Sequence, residues 1–439
     1  MLREPNRPAP NSDEITLENS NLKWHTLHCE LITPMYGGGV ESTKVDEKMP
    51  IRVSSIRGQL RFWWRLLAKY QWGIEDIAKA ETNLWGGMSQ GDDDGKASKV
   101  LLKVDNISKP VIEKWAEYKP NHNGKLNLHP KEDWVNVPYA LFPAQGTLKN
   151  GRTDVDEQPH QLLKPGFKWD LMVNFNPSIN SQNQGTMPSE IEQVWESIRW
   201  WSNFGGVGAR TRRGLGAIEI RQNNYFKKVV SVDEIKQLRF GVSLKTANNI
   251  YNAWTQAVNK LQSFRQIGAG RNNHSSRSHW SEPDAIRQLT GQSISKHSVP
   301  KTKGNIFPRA GFGLPIITKF KDNNFQGTDT SPNVDPRTTT LNLQYRKDKN
   351  KEWQRFERLA SPLILRPYMD ENGQWCSLAL VLPVVLHDTD KFQLLLENSN
   401  KTKVANVEFW DVEKSKDIDP ITKNGGGDPL QAFLTYFAK

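Results

Sequence analysis

Cysteine is nearly absent: Cys29 and Cys376 are the two in a chain of 439 residues, far apart and each inside an apolar run. That excludes a disulfide framework and a cysteine-built zinc site, and both thiols read as small buried hydrophobes of a cytoplasmic protein. No stretch approaches the roughly 18–20 uninterrupted apolar residues of a membrane span. The opening residues carry no apolar core of a signal peptide, so neither a membrane nor a secreted protein is expected. There is no HExxH, no EF-hand register and no GK[ST] phosphate loop, and neither a metal nor a cofactor is expected. What the chain does have is positive charge, 59 Lys+Arg against 48 Asp+Glu for a net +11, and 16 tryptophans that mark a folded protein. The surplus points to an anionic partner, nucleic acid being the commonest, or to plain solubility. Only the positions of the charges separate the two.

Residues 1–20 are polar and proline-rich and read as a flexible arm. Trp24 to Thr33 alternates as a half-buried strand, and residues 34–50, framed by Pro and Gly, read as a long mobile loop. Ser54 to Ala68 is a helix with Ser54 as its expected cap and apolar residues at 56, 60, 63 and 67. A second helical pattern covers about 74–84, and a strand covers Lys99 to Val104. Residues 106–133 look inserted, and Val135 to Leu141 reads as a strand. Phe167 to Phe175 alternates cleanly, and a helix near 188–204 runs into a glycine-rich loop and a strand over 216–221. The order strand, helix, strand, strand, helix, strand over residues 21–225 is ferredoxin-like, or RRM-like. Residues 226–439 carry a strand, a helix near 246–264, a long polar insertion and later strands near 314–320, 359–367 and 375–386. With a terminal helix near 429–437, a second ferredoxin-like domain is expected, giving an α+β chain of two fused domains with loop insertions.

Two segments carry chemistry. Arg57, Arg61 and Arg65 are spaced by four and form one basic helical stripe, with Gly58 beside the first, where a missing side chain admits another molecule. A helix N-terminus with an arginine suits phosphate, although a solvated arginine face has the same pattern. The second segment, residues 204–216, reads FGGVGARTRRGLG. Gly205, Gly206 and Gly208 permit inward-pointing amides that cradle a phosphate, while Arg210, Arg212 and Arg213 add charge and planar stacking surface. Further on, Lys301, Lys303 and Arg309 would extend a basic channel or sit in a solvated loop. Trp63, Trp64, Trp200 and Trp201 sit in adjacent pairs, one ring of each pair expected in the core and one near the surface; core and interdomain packing is the plain reading, base stacking the sharper one.

These motifs, with Thr33-Pro-Met-Tyr-Gly-Gly-Gly, Arg61-Phe-Trp-Trp-Arg and Leu359-Ala-Ser-Pro-Leu-Ile-Leu, resemble the RAMP superfamily of CRISPR-associated proteins. Within it they are similar to the first RAMP subunits of type III-B (Cmr) effector complexes. The resemblance implies two fused ferredoxin-like domains and a non-catalytic place at the head of a ribonucleoprotein. There the subunit would sit near the 3′ end of the guide RNA, beside other RAMP subunits, and help capture target RNA. Arg57, Arg61 and the glycine-loop residues carry over as RNA-binding. The acidic run Asp92–Asp94, and Trp-Gly-Gly where Phe-Gly is common, depart from the pattern.

Some RAMP relatives cut RNA without metal, so a guide-processing ribonuclease is the competing reading. His25 and His28 on the first strand, or Asp46 and Glu47 in the loop, would then supply acid and base. A third reading is a protein cap whose arginines meet acidic neighbours.

Overall fold

Leu27, Cys29 and Leu31 turn to one side of β1 (His25–Leu31) and are buried, while His28 on the other side is exposed. The computed structural model describes residues 23–41, 43–88, 95–267, 277–294, 297–300, 305–320, 333–383, 390–407 and 412–439. The expected arm at 1–20, Asp92–Asp94, Lys301 and Lys303 lie outside the described residues. After β1 come β2 (Met35–Tyr36), α1 (Val53–Tyr70), α2 (Ile77–Trp85) and β3 (Val100–Asp105). The segment between β3 and the next long strand holds β4 (Ile112–Lys114), β5 (Ala116–Pro120), β6 (Leu126–Pro130), α3 (Pro138–Leu141), β7 (Thr147–Leu148), β8 (Val155–Glu157) and β9 (Gln161–Leu163). Then follow β10 (Lys168–Phe175), α4 (Glu190–Phe204) and β11 (Ile218–Gln222).

The antiparallel order β11-β1-β10-β3 is that of a ferredoxin-like sheet, the last strand beside the first and the third beside the second. Helix α1 is not capped by Ser54: its N-cap is Arg52, with no side-chain cap bond, and the chain is already helical at Val53. Helix α4 does carry a capping box, in which Ser189 and Glu192 satisfy each other's backbone amides. The strand expected at 135–141 is instead the short helix α3 with Pro138 in its first turn. Proline cannot donate to a sheet ladder but fits a helix start. The loop at 34–50 is pinned as well: β2 pairs with β9, and Val45 is buried.

The second half opens with α5 (Val232–Gln237), β12 (Gly241–Thr246), α6 (Ile250–Arg265) and α7 (Glu282–Thr290). It continues through β13 (Ile316–Thr318), β14 (Thr339–Tyr345), β15 (Gln354–Phe356), β16 (Leu363–Met369) and β17 (Trp375–Val381). It closes with β18 (Phe392–Asn398), β19 (Lys403–Val407), α8 (Val412–Ser415), α9 (Asp419–Thr422) and α10 (Pro429–Ala438). The order β12-β17-β16, with α6 after the first strand and α10 after the hairpin, repeats the ferredoxin-like path; among the described residues this sheet has three strands. A separate sheet, β13-β14-β18-β19 with β15 on β14, packs its apolar face with Ala285 and Ile286 of α7.

Four layers result. The first sheet covers one side of α1 and α4, and Ile364, Tyr368, Leu378 and Leu380 of the second sheet cover the other side in a shared core. The opposite face of that second sheet, with Leu363, Leu365 and Ala379, packs on Leu261 and Phe264 of α6 and Phe433 of α10. This layering bears out core packing for the tryptophan pairs and corrects the expectation of one ring near the surface. Trp63, Trp64, Trp200 and Trp201 are each at most 1% exposed, because helices between two sheets have no free side. Each such ring contributes on the order of 2–3 kcal/mol by burial, so the pairs are core and not stacking platforms.

Candidate nucleic-acid interface

On α1 the arginine stripe is largely occupied. Arg57 donates from Nη1 to Ser98 Oγ (2.7 Å) and from Nη2 to the Val100 carbonyl (3.0 Å), fastening the helix to the start of β3. Arg61 Nε and Arg65 Nη1 both reach Glu81 Oε1 of α2 at 2.6 Å. One buried carboxylate thus balances two half-exposed guanidiniums, which the spacing of the arginines alone did not reveal. Gly58 is exposed, with nothing within 4 Å of where a Cβ would stand.

The glycine-rich loop is a rigid brace. Its amides at Val207, Ala209 and Gly216 donate to the carbonyls of Gly216, Tyr36 and Pro34 at 2.8, 2.7 and 2.8 Å. Thr33 Oγ1 donates to the Gly214 carbonyl at 2.6 Å. A Cβ on Gly205 would meet Trp63 and Trp201, one on Gly206 would meet the Gly216 carbonyl, and one on Gly208 would meet Met35 and the Tyr36 carbonyl. The glycines serve chain-on-chain packing, and these three amides, with that of Gly205, are spent internally.

The three loop arginines divide by role. Arg213 is buried and donates to the Leu363 carbonyl (3.0 Å), while its own carbonyl accepts from Trp254 Nε1 (2.9 Å). Burial, with Arg265, Arg210 and Arg212 nearby, pulls its guanidinium down to about 9, which leaves it charged at neutral pH. Arg212 donates to the Ser361 carbonyl and lies over the Phe62 ring, 5.4 Å from its centroid. Arg210 adopts φ +58°, and its Nε is buried with no partner among the described residues. Burial lowers its affinity for the proton, and Arg358 and Arg265 lower it further. Arg309 belongs elsewhere: its Nε donates to the buried Glu282 at 3.0 Å in an ion pair at the start of α7.

Arg210, Arg212 and Arg213 line one wall of a cleft of about 1090 Å³ between the two halves. Arg265 at the end of α6 and Arg358 before β16 line the other side, and among the described residues no Asp or Glu joins the lining. Tyr139 and Phe142 of the first half and Phe312 of the second add ring surface. Arg265 Nη1 donates to the Tyr139 hydroxyl at 3.0 Å. Burial pushes the Tyr139 phenol up, but Arg265, Arg213 and Arg210 outweigh it and hold it below its ordinary value. A tyrosine drawn toward phenolate by three cations reports a positive field in the cleft. Sequence reasoning missed Arg265, Arg358 and Tyr139; Arg358 adjoins the Leu-Ala-Ser-Pro run, the one signal that pointed there.

On the outer face of the first sheet, His28 Nδ1 lies 2.7 Å from Asp170 Oδ1, and Asn106 Nδ2 donates to the other carboxylate oxygen at 2.6 Å. His25 is enclosed by the rings of Phe175, Trp195 and Tyr225. Asp46 turns inward to its own loop, accepting from the Lys48 and Met49 amides. Among the described residues no group of three His, Cys, Asp or Glu is placed to hold a metal ion, and no helix is long and apolar enough to cross a membrane.

Residues 28–219, which hold the first ferredoxin-like sheet, α1, α4 and the glycine-rich loop, match the RAMP superfamily model. Among curated proteins the chain is similar to the CRISPR system Cmr subunit Cmr1-2 of Pyrococcus furiosus, 22% identical over 203 residues that span 44% of this chain and 92% of that one. Among solved structures, Cmr1 from Pyrococcus furiosus in its apo form aligns at 17% identity and a TM-score of 0.42, covering 89% of this chain and all of that one. A chain of the Type III-B Cmr-beta bound to cognate target RNA aligns at 11% identity and a TM-score of 0.44, over 94% of this chain.

Proposed function

We propose that this chain is a non-catalytic RNA-binding subunit of a type III-B CRISPR (Cmr) ribonucleoprotein, working in the cytoplasm of a prokaryote. It takes its place at the head of the complex near the 3′ end of the guide RNA, beside other RAMP subunits, and helps capture target RNA. The observation that carries this reading is the cleft lined by five arginines and, among the described residues, no carboxylate. Guanidiniums without a carboxylate partner among the described residues, next to aromatic rings, suit a single strand, with phosphates neutralised and bases stacked. The similarity to Cmr1-2 supports the same reading.

Fluorescence anisotropy with labelled single-stranded RNA tests it. Replacing Arg210 and Arg358 by alanine should weaken binding uniformly across sequences and lower the log–log salt slope by about 0.7 per lost contact. Unchanged affinity and slope would remove the cleft from the interface. Arg213 is left out of this variant because it braces the fold.

A second reading, a metal-independent ribonuclease, is favoured only by the His28–Asp170 pair. Incubation of the purified chain with repeat RNA in EDTA separates the two. Discrete cleavage abolished by His28→Ala would establish the enzyme.

A further inference from the structure

Beyond the arginine cleft the segment between β3 and β10 shapes a second groove, of about 860 Å³. Its walls are Tyr118 of β5, Asn127 and His129 of β6, Gln145 before β7, Arg152, and Lys319 directly after β13. Among the described residues no carboxylate is in its lining, although Asp156 Oδ2 accepts from the lining Thr147 Oγ1 at 2.9 Å. Glu157 of β8, opposite the lining residue Thr147, lies 3.4 Å from His160 Nε2. Arg152 is anchored through Nη2, which donates to the Leu126 carbonyl (2.9 Å) and to Asn127 Oδ1 (2.7 Å). Tyr118 is fixed by its hydroxyl, which donates to the Gln145 carbonyl at 2.8 Å. Lys319 is exposed and has no ion pair among the described residues.

The two hollows are continuous along the chain. Ile317 lines the cleft and Lys319 lines the groove, two residues and at most about 7 Å apart. Phe142 lines the cleft and Gln145 the groove, no more than about 11 Å apart. Phe142 and Ile317 are 54% and 61% exposed, so the cleft is bounded on this side by apolar surface open to solvent. Cationic side chains joined by exposed apolar ones form the pattern on which a single strand can lie, backbone on the cations and bases on the rings.

We propose that this groove is a second single-stranded RNA subsite, entered from the arginine cleft across Phe142 and Ile317, so that the strand leaves the cleft over the first half's own insertion. The proposal rests on the cleft holding RNA, and oligonucleotide length separates the two claims.

The full chain is titrated with labelled oligouridylates of about 4 and about 12 nucleotides, lengths that bracket one and several subsites. Arg152→Glu with Lys319→Glu should weaken the longer oligomer about tenfold and lower its salt slope by about 1.4, leaving the shorter one unchanged. Lys319→Glu alone, at a side chain with no ion pair to lose, should give a smaller loss of the same kind. If the longer oligomer is unaffected while Arg210→Ala still weakens both, the second subsite is wrong and the cleft stands. If the double variant instead loses a neighbouring Cmr subunit with its RNA length dependence intact, the groove binds protein and the proposal is wrong. If neither oligomer binds the unmodified chain, the cleft reading falls and this one with it.

Discussion

Arg366 Nη1 donates to the carbonyl oxygen of Gly205 at 2.7 Å, joining the second half's sheet to the first residue of the glycine-rich loop. The same guanidinium donates to the carbonyls of Ile218 and Pro367, both at 3.0 Å, and burial pulls it down to about 9. Arg366→Met would leave two carbonyls from the first half without a partner. A loss of about 2–4 kcal/mol is expected, read from the denaturant midpoint at constant m-value. Arg366→Lys should recover little, because an ammonium cannot span three separated acceptors as a planar fork does.

Gly58 offers a variant whose two effects have opposite signs. Nothing surrounds it, and it lies within a helix, so Gly58→Ala should raise stability by about 0.5–1 kcal/mol. If the missing side chain gives RNA access to the start of α1, affinity should fall in the same protein. A melt and a binding titration on one sample decide it; a more stable protein with unaltered affinity removes α1 from the interface.

The paired arginines should matter less than the unpaired one. Arg61 and Arg65 share Glu81, whereas Arg210 Nε has no partner among the described residues. Arg210→Ala is therefore expected to cost several times more RNA affinity than Arg61→Ala or Arg65→Ala. Glu81→Gln should narrow that gap by freeing both guanidiniums.

Tyr139 makes the cleft's field visible. Its phenol ionises below the ordinary value of 10, so between the folded value and 10 the unfolded chain holds a proton that the folded chain has lost. Stability from this group consequently rises with pH across that window and is lost as pH falls through the folded value. Near-ultraviolet titration should show one tyrosine ionising early, absent in Tyr139→Phe and shifted upward in Arg265→Ala. Bound RNA should also shift it upward, since phosphates offset the same guanidiniums.

The alternation of Leu27, Cys29 and Leu31 and the apolar spacing of α1 and α4 made the first ferredoxin-like unit readable from sequence, because those periods are local. Glu81 was not readable as the partner of Arg61 and Arg65, since the pairing depends on how α2 folds back over α1. The sheet holding β14 and β18 was missed because Leu341 faces Leu396 across a long intervening segment. The glycine-loop arginines were legible as basic but not as three different roles, which depend on carbonyls of Ser361 and Leu363 contributed by the other half. Fold emerges from periodicity, whereas the free or spent state of a charge emerges only from packing.

The shared core also bears on how the protein can be divided. A piece ending near residue 225 would bare the side of α1 and α4 that Ile364, Tyr368, Leu378 and Leu380 now cover. Such a fragment would present a broad greasy surface and a loop without its brace, and would tend to aggregate. The two ferredoxin-like units are thus repeats in architecture but partners in folding, and the arginine cleft needs both of them.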